Sequence, residues 1–249
     1  MQQRHMKLRT LAPMDKQIKL GIWQPYFFPY IGYFQLIQAV DLFVLYDDVT
    51  FRKRSWINRN RILVNASPNF FSIPLIDLSQ NRLINESFVV EDSHWKKKFL
   101  KKLEGQYRKA PQFQDVFEIV SYVLSQDHET IVGYALSSIR SIMIYLEIST
   151  ELKVSSESYK NTHLSASERI LDICQKEQAD EYINPINGQE LYSKKEFLSN
   201  QISLNFLKTR DFFYQQYLND FVPNLSVIDL IMFNDKKKSI DLLKEYDLV

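Results

Sequence analysis

Cysteine is nearly absent. The single Cys174 in 249 residues excludes an internal disulfide and a cysteine-built zinc site. Ile170 and Leu171 share its helical face, which reads as a packed thiol rather than a nucleophile. Glycine is scarce as well: there are five, and no Walker A loop, G-x-G-x-x-G turn or G-x-S-x-G elbow occurs. Neither charge dominates, because 31 lysines and arginines face 30 aspartates and glutamates, so no global field recruits a polyanion. That balance argues against a nucleic-acid binder, though not against a local phosphate site. Histidine is also rare. His94, His128 and His163 are scattered without metal-ligand spacing, and the site is expected to be metal-free. No apolar run approaches the roughly 18–20 residues of a membrane span. The first 17 residues lack an apolar signal core, and a flexible extension and a cytoplasmic location are expected.

What is present is apolar and aromatic: 45% of residues are hydrophobic and 14% aromatic, enough for a real core. Ile18, Leu20 and Ile22 alternate as a strand does. A proline-bracketed turn, Gln24 to Pro29, leads into Tyr30–Val40, apolar almost all round like a buried helix. Leu42 to Tyr46 is an unbroken apolar run suited to a parallel strand covered on both faces. Strand, helix and strand within this span predict a βαβ unit. Further strands are predicted over Phe70–Ile76 and Ser87–Glu91, and helical spacing runs from Trp95 to Leu146. Ser165 and Glu168 form a capping-box pattern. The tail mixes strand (Ile202–Leu207) with helices (Ser226–Phe233 and Ser239–Tyr246). The expected fold is α/β: a Rossmann-like N-terminal βαβ sheet, a packed helical region and a mixed α+β C-terminal part. One compact domain over 18–249 is expected, sheet-rich over 18–92, helical over 93–178 and mixed over 179–249.

The densest chemistry follows the second predicted strand. Asp47 and Asp48 are succeeded by Arg52, Lys53, Arg54, Trp56, Asn58, Arg59, Asn60 and Arg61. In parallel sheets ligands bind beyond the carboxyl ends of strands, so this loop and the Gln24 turn should meet in one crevice. Arginine clamps phosphate oxygens, lysine adds a point charge, and carboxylates bind hydroxyls or amines. A solvated loop with internal ion pairs is the plainer alternative. The Gln24 turn also faintly resembles the nucleotidyltransferase pattern Phe-x-Pro-x-His-x-Gly-His. Tyr30 and Tyr33 stand where that pattern has histidines, so the resemblance implies a related fold and not the same reaction. His94 and His163 are further candidate bases. A polar turn from Tyr182 through Asn184, Asn187 and Gly188 to Tyr192 is rich in amides.

Taken in order, Gln24 to Ile37, Tyr46-Asp47-Asp48-Val49, Trp56 to Asn60, Tyr182 to Pro185 and Pro223 to Leu230 resemble the WbqC-like family over nearly the whole chain. Asn187 departs from the glycine pair more usual before Gly188, and Gln178 to Asp180 departs from Gly-Ala. The resemblance implies a setting in bacterial surface-polysaccharide (O-antigen) biosynthesis, near enzymes that make nucleotide-linked deoxyamino sugars. The reaction expected there is transfer of an acyl or aminoacyl group onto the sugar's amine. In that scheme Arg59 and Lys53 neutralise the diphosphate, and Trp56 or Tyr26 stacks on base or sugar. Asn58, Asn184, Asn187 and Tyr192 hold hydroxyls, and Gln24 meets the oxyanion. Asp48, Asp47 or His163 takes the proton. No bound cofactor is expected; the co-substrate is an activated donor, with a thioester the leading class. The rival expectation is a non-catalytic scaffold of a polysaccharide-assembly complex.

Overall fold

The computed structural model describes residues 17–77, 81–217 and 220–249. The expected N-terminal extension therefore falls, except for Gln17, outside the described residues. At the centre of the sheet is β1 (Lys19–Trp23), flanked in parallel by β2 (Leu42–Leu45) and by the strand Glu181–Pro185. Leu20, Ile22, Leu42 and Val44 point to one face, and Gly21, Phe43 and Leu45 to the other. Between β1 and β2, α1 (Ile31–Ala39) crosses the second face with seven of its nine residues buried. Its apolar character has a cause: it is covered by the sheet on one side and by helices on the other. Each buried Phe, Leu or Ile there contributes about 1.5–3 kcal/mol. Gly21 sets the spacing, because a Cβ at that position would come 3.1 Å from Phe43 and 3.5 Å from Leu36. Gln35 is the polar exception in α1. Its amide donates to the carbonyls of Leu242 and Glu245 and accepts from Thr209 Oγ1, so no polar capacity is stranded.

After β2 the chain leaves the sheet. The strands β3 (Arg59–Val64) and β4 (Ser67–Ser72) pair only with each other, as an antiparallel hairpin. Asn65 and Ala66 form its two-residue turn, both with positive φ, as a type I′ turn demands. This corrects the expected strand over Phe70–Ile76: Phe70 to Ser72 end the second strand of a separate ribbon, and beyond them only Leu75 makes an isolated bridge. Ser87–Glu91 makes only isolated bridges, Leu75 to Val89 and Phe88 to Thr130. Three helices follow where helical spacing placed them: α2 (His94–Tyr107), α3 (Phe113–Ser125) and α4 (Ile131–Tyr145). They share one continuous apolar cluster with α1 and the hairpin, and Phe71 stacks on Phe99 at 4.4 Å.

The second half rebuilds the sheet. β5 (Glu151–Val154) adds beyond β2, followed by α5 (Ser155–Ser158) and α6 (Ala166–Lys176), which opens on the Ser165–Glu168 capping box. Ile170, Ile173 and Cys174 pack on the Leu20–Ile22 face. The strand Glu181–Pro185 is β6; α7 (Lys194–Ser199) and β7 (Ser203–Thr209) follow it. Helices α8 (Val227–Phe233) and α9 (Lys236–Leu242) precede β8 (Tyr246–Leu248), an antiparallel edge. The expected helix over Ser239–Tyr246 thus stops at Leu242, and Tyr246 begins a strand. The strand order is β5-β2-β1-β6-β7-β8. Chain order runs outward from β1 on one side and restarts at β6 on the other. The topological switch therefore lies between β1 and β6.

Candidate functional site

Beyond the carboxyl end of β1, the Gln24–Tyr30 turn is held in an uncommon shape. Phe28 has φ 42°, a left-handed conformation that costs a bulky residue about 1–3 kcal/mol. Three elements enforce it. The Phe28 carbonyl accepts from Asn60 Nδ2 and Ser226 Oγ, both at 2.7 Å, and its amide donates to Ser138 Oγ at 3.1 Å. The turn then presents an aromatic group. Trp23 stacks on Tyr33 at 5.0 Å, while Tyr26 and Tyr30 meet Trp23 edge-on at 5.7 and 6.4 Å.

Trp23, Tyr26, Tyr30 and Trp56 line a cleft of about 370 Å³ at the switch point, and Tyr33 backs Trp23 from the core. Asn60, Arg61, Asn187 and Asn224 supply its polar groups. Arg61 lies 5.3 Å over the Trp56 ring and donates Nη2 to the Asn224 carbonyl at 3.0 Å. Its Nε is buried without a partner, an unanswered donor beside the cleft. Burial pushes Tyr30 up to about 12 and raises Tyr26, so both phenols stay protonated at neutral pH. A second cleft of about 430 Å³ adjoins the first beyond β7 and shares Tyr30 and Asn224 with it. Thr209, Arg210, Asp211 and Tyr214 line this part. Its wall is tethered to the core by Asp229, fully buried, which accepts from Tyr107 and Tyr214 hydroxyls at 2.6 Å and from Gln216 at 2.7 Å. Burial raises the Asp229 carboxyl above the ordinary aspartate range, and the three donors pull against that rise.

The two carboxylates of the Asp47 loop sit at the end of β2, next to β1, but face inward. Asp47 accepts from the Ser156 amide at 2.9 Å and hydroxyl at 2.6 Å; burial raises its carboxyl and the Ser156 bonds oppose that. Asp48 is buried in an ion pair with Arg169, which also donates to the Asp48 carbonyl, to Asn161 at 2.7 Å and to Ser155. The Arg169 guanidinium covers the Tyr46 ring at 4.5 Å. These groups tie β2 to α5 and α6.

Of the residues expected to share one crevice, Tyr26, Trp56 and Asn187 meet in the cleft. Gln24 is half-buried at the neck of the turn, where its carbonyl accepts from the Tyr33 hydroxyl. Asn58 donates to the Ile73 carbonyl at 2.8 Å, which fixes the hairpin. Arg59 donates to the carbonyls of Arg54 and Ser55 and lies 4.6 Å over Phe70. Lys53 is exposed, and His163 is exposed beside Asp172. Asn184 and Tyr192 reach the opposite face of the sheet end, joined through Tyr182. There Gly188 is required, since a Cβ on it would fall 1.9 Å from Asn184 Oδ1. Sequence reasoning did not single out Trp23, Tyr30 or Arg61 as ligand contacts. Their signal was position, at and just beyond the end of β1 and on the partly exposed face of β3. Asn224 precedes α8, whose cap is Ser226, accepting from the Ile228 amide.

Among the described residues, no three His, Cys, Asp or Glu side chains gather as a metal ion would require, and no helix is long and apolar enough to cross a membrane.

The sequence model of the WbqC-like protein family matches residues 24–240. A Mycobacterium tuberculosis (strain ATCC 25618 / H37Rv) protein, "Uncharacterized protein Rv1507c", is 29% identical over 231 residues, covering 91% of this chain and 97% of that protein. No solved structure matches the chain significantly. The matched span includes the Gln24 turn, the Asp47 loop, the hairpin and the Pro223–Ser226 segment, which are the parts that build the cleft.

Proposed function

This chain belongs to the WbqC-like protein family, and from that premise we propose that it transfers an acyl or aminoacyl group onto the amine of a nucleotide-linked deoxyamino sugar in the cytoplasm, for surface polysaccharide. The observation that carries the reading is the cleft at the β1–β6 switch point. It combines four aromatic rings with an arginine whose Nε lacks a partner. Stacking against Trp23, Tyr26 and Tyr30 suits a planar base or a sugar face. Arg61 supplies a charge-assisted donor for a diphosphate. The amides of Asn60, Asn187 and Asn224 suit sugar hydroxyls. Arg61 takes the phosphate role that position in the sequence had suggested for Arg59 and Lys53.

The amine attacks the donor carbonyl, a C–N bond forms, and the bond to the donor's leaving group breaks. The ammonium proton needs an acceptor that is ionised at neutral pH. Tyr26 and Tyr30 do not meet that requirement. Asp211, which lines the adjoining part of the cleft, takes this role in the proposal. Asp47 and Asp48, bonded to Ser156 and Arg169, act as positioning groups for the end of β2. The test is incubation with a panel of nucleotide-linked amino sugars and activated acyl or aminoacyl donors, followed by product mass. A mass increase of one acyl group, lost in Asp211→Asn, supports the reading. No mass shift with any pair favours the scaffold.

A further inference from the structure

Charge is even along most of this chain but not in one place. From Val49 to Ile76 there are five cations and no acid, although cations and acids nearly cancel over the whole sequence. The segment folds into the loop before β3 and the β3–β4 hairpin. Arg52, Lys53 and Arg54 are exposed there, and among the described residues none of the five cations makes an ion pair. The hairpin adds a ladder of stacked planes. Arg61 lies 5.3 Å over Trp56, Trp56 stacks on Phe70 at 6.0 Å, and Arg59 lies 4.6 Å over Phe70. Trp56 is 38% exposed and Phe70 47% exposed, large for aromatic rings with packing available. One end of this ladder, Trp56 and Arg61, is also the wall of the cleft.

We infer that this face binds a single-stranded RNA end and delivers its terminal nucleotide to the cleft. The chemistry favours it over an acidic protein. Four of the five cations are arginines, suited to bidentate phosphate contacts. Exposed rings between guanidiniums form a platform on which bases stack irrespective of sequence. Near-neutrality of the whole chain removes long-range attraction but leaves this local field intact. Resting on the transferase reading, the inference names the donor class: an aminoacyl ester on a terminal ribose. The sugar amine attacks the ester carbonyl, the C–N bond forms, and the C–O bond to the ribose breaks. The ribose oxygen leaves as a hydroxyl, carrying the proton that the amine gives up.

The test is fluorescence anisotropy with a labelled single-stranded RNA dodecamer across salt concentrations. With Arg61 given to the acceptor's diphosphate, four phosphate contacts predict a slope of log affinity on log salt of about −2.8, falling to about −0.7 in Arg52→Ala/Lys53→Ala/Arg54→Ala. Trp56→Ala should weaken binding about tenfold or more with the slope unchanged, and Lys237→Ala, on α9 and outside the hairpin, should behave as wild type. No binding at about 50 mM salt overturns the inference. So does equal affinity for poly-glutamate, or a Trp56→Ala variant that binds like wild type. An aminoacyl-RNA assay separates the two readings. RNA binding without a product mass shift sinks the transferase and leaves the face standing. Transfer from a small thioester with no RNA binding sinks the face alone.

Discussion

Two neighbouring regions at the same edge of the sheet use their polar residues in opposite ways. At the end of β2, Asp47, Asp48 and Arg169 are held by Ser156, Asn161, Ser155 and each other, with Asp48 Oδ1 alone among their carboxylate oxygens lacking a partner. At the end of β1, Arg61 keeps a buried donor unanswered beside four rings and a strained turn. The first region is richer in charge and closed, while the second opens onto the cleft. Density of charged residues in a sequence marks the first kind of region as readily as the second. Geometry separates them, because a buried donor beside an open cleft can be answered by a bound molecule, whereas one enclosed by protein cannot.

The comparison can be broken by mutation, beginning where the effect is greatest. Arg169→Met strands Asp48 as a buried, unpaired carboxylate and should cost about 3–5 kcal/mol in urea unfolding. A loss below about 1 kcal/mol would show that the ion pair is not structural. Gly188→Ala drives a methyl into the Asn184 amide and should cost about 1–3 kcal/mol by the same measurement. Wild-type stability there would mean that the Asn184–Tyr182 link yields freely. Ser156→Ala removes one of the two donors to Asp47 and should cost about 1 kcal/mol.

A smaller effect concerns pH. Asp47 and Asp229 both sit above the ordinary aspartate value in the folded chain. The folded state therefore holds their protons more readily than the unfolded state. Their contribution to stability is greatest below the unfolded value near about 4, and it declines as pH rises through the folded values. Urea midpoints measured from about pH 4 upward should show that decline, and Asp229→Asn should flatten it. A slope unaltered by the substitution would remove Asp229 from the explanation.

Much of the sheet was legible. Alternation at Ile18–Ile22 and the apolar run Leu42–Tyr46 marked β1 and β2, and parallel pairing brought their carboxyl ends together as expected. The hairpin was not, because its type I′ turn uses Asn65-Ala66 without a glycine and its first strand is half polar. Partnership was the other hidden quantity. Asp48 pairs with a residue 121 positions away, and Arg61 bonds to one 163 positions away. No local pattern reports that the acids would be enclosed and the arginine left open. Tyr26 and Trp56 were marked by their place beyond the first two strands, whereas Arg61, in the same segment as Trp56, was one cation among five until the hairpin brought it to the cleft beside Asn60.

The most direct test is calorimetric titration of a nucleotide-linked amino sugar into wild type, Arg61→Ala and Ser156→Ala. The account predicts that Ser156→Ala binds as wild type does, while Arg61→Ala loses about 1.5–3 kcal/mol, roughly ten- to a hundredfold in affinity. Equal affinity for all three proteins, or weakening in Ser156→Ala alone, would contradict the assignment of the ligand to the Trp23–Arg61 cleft.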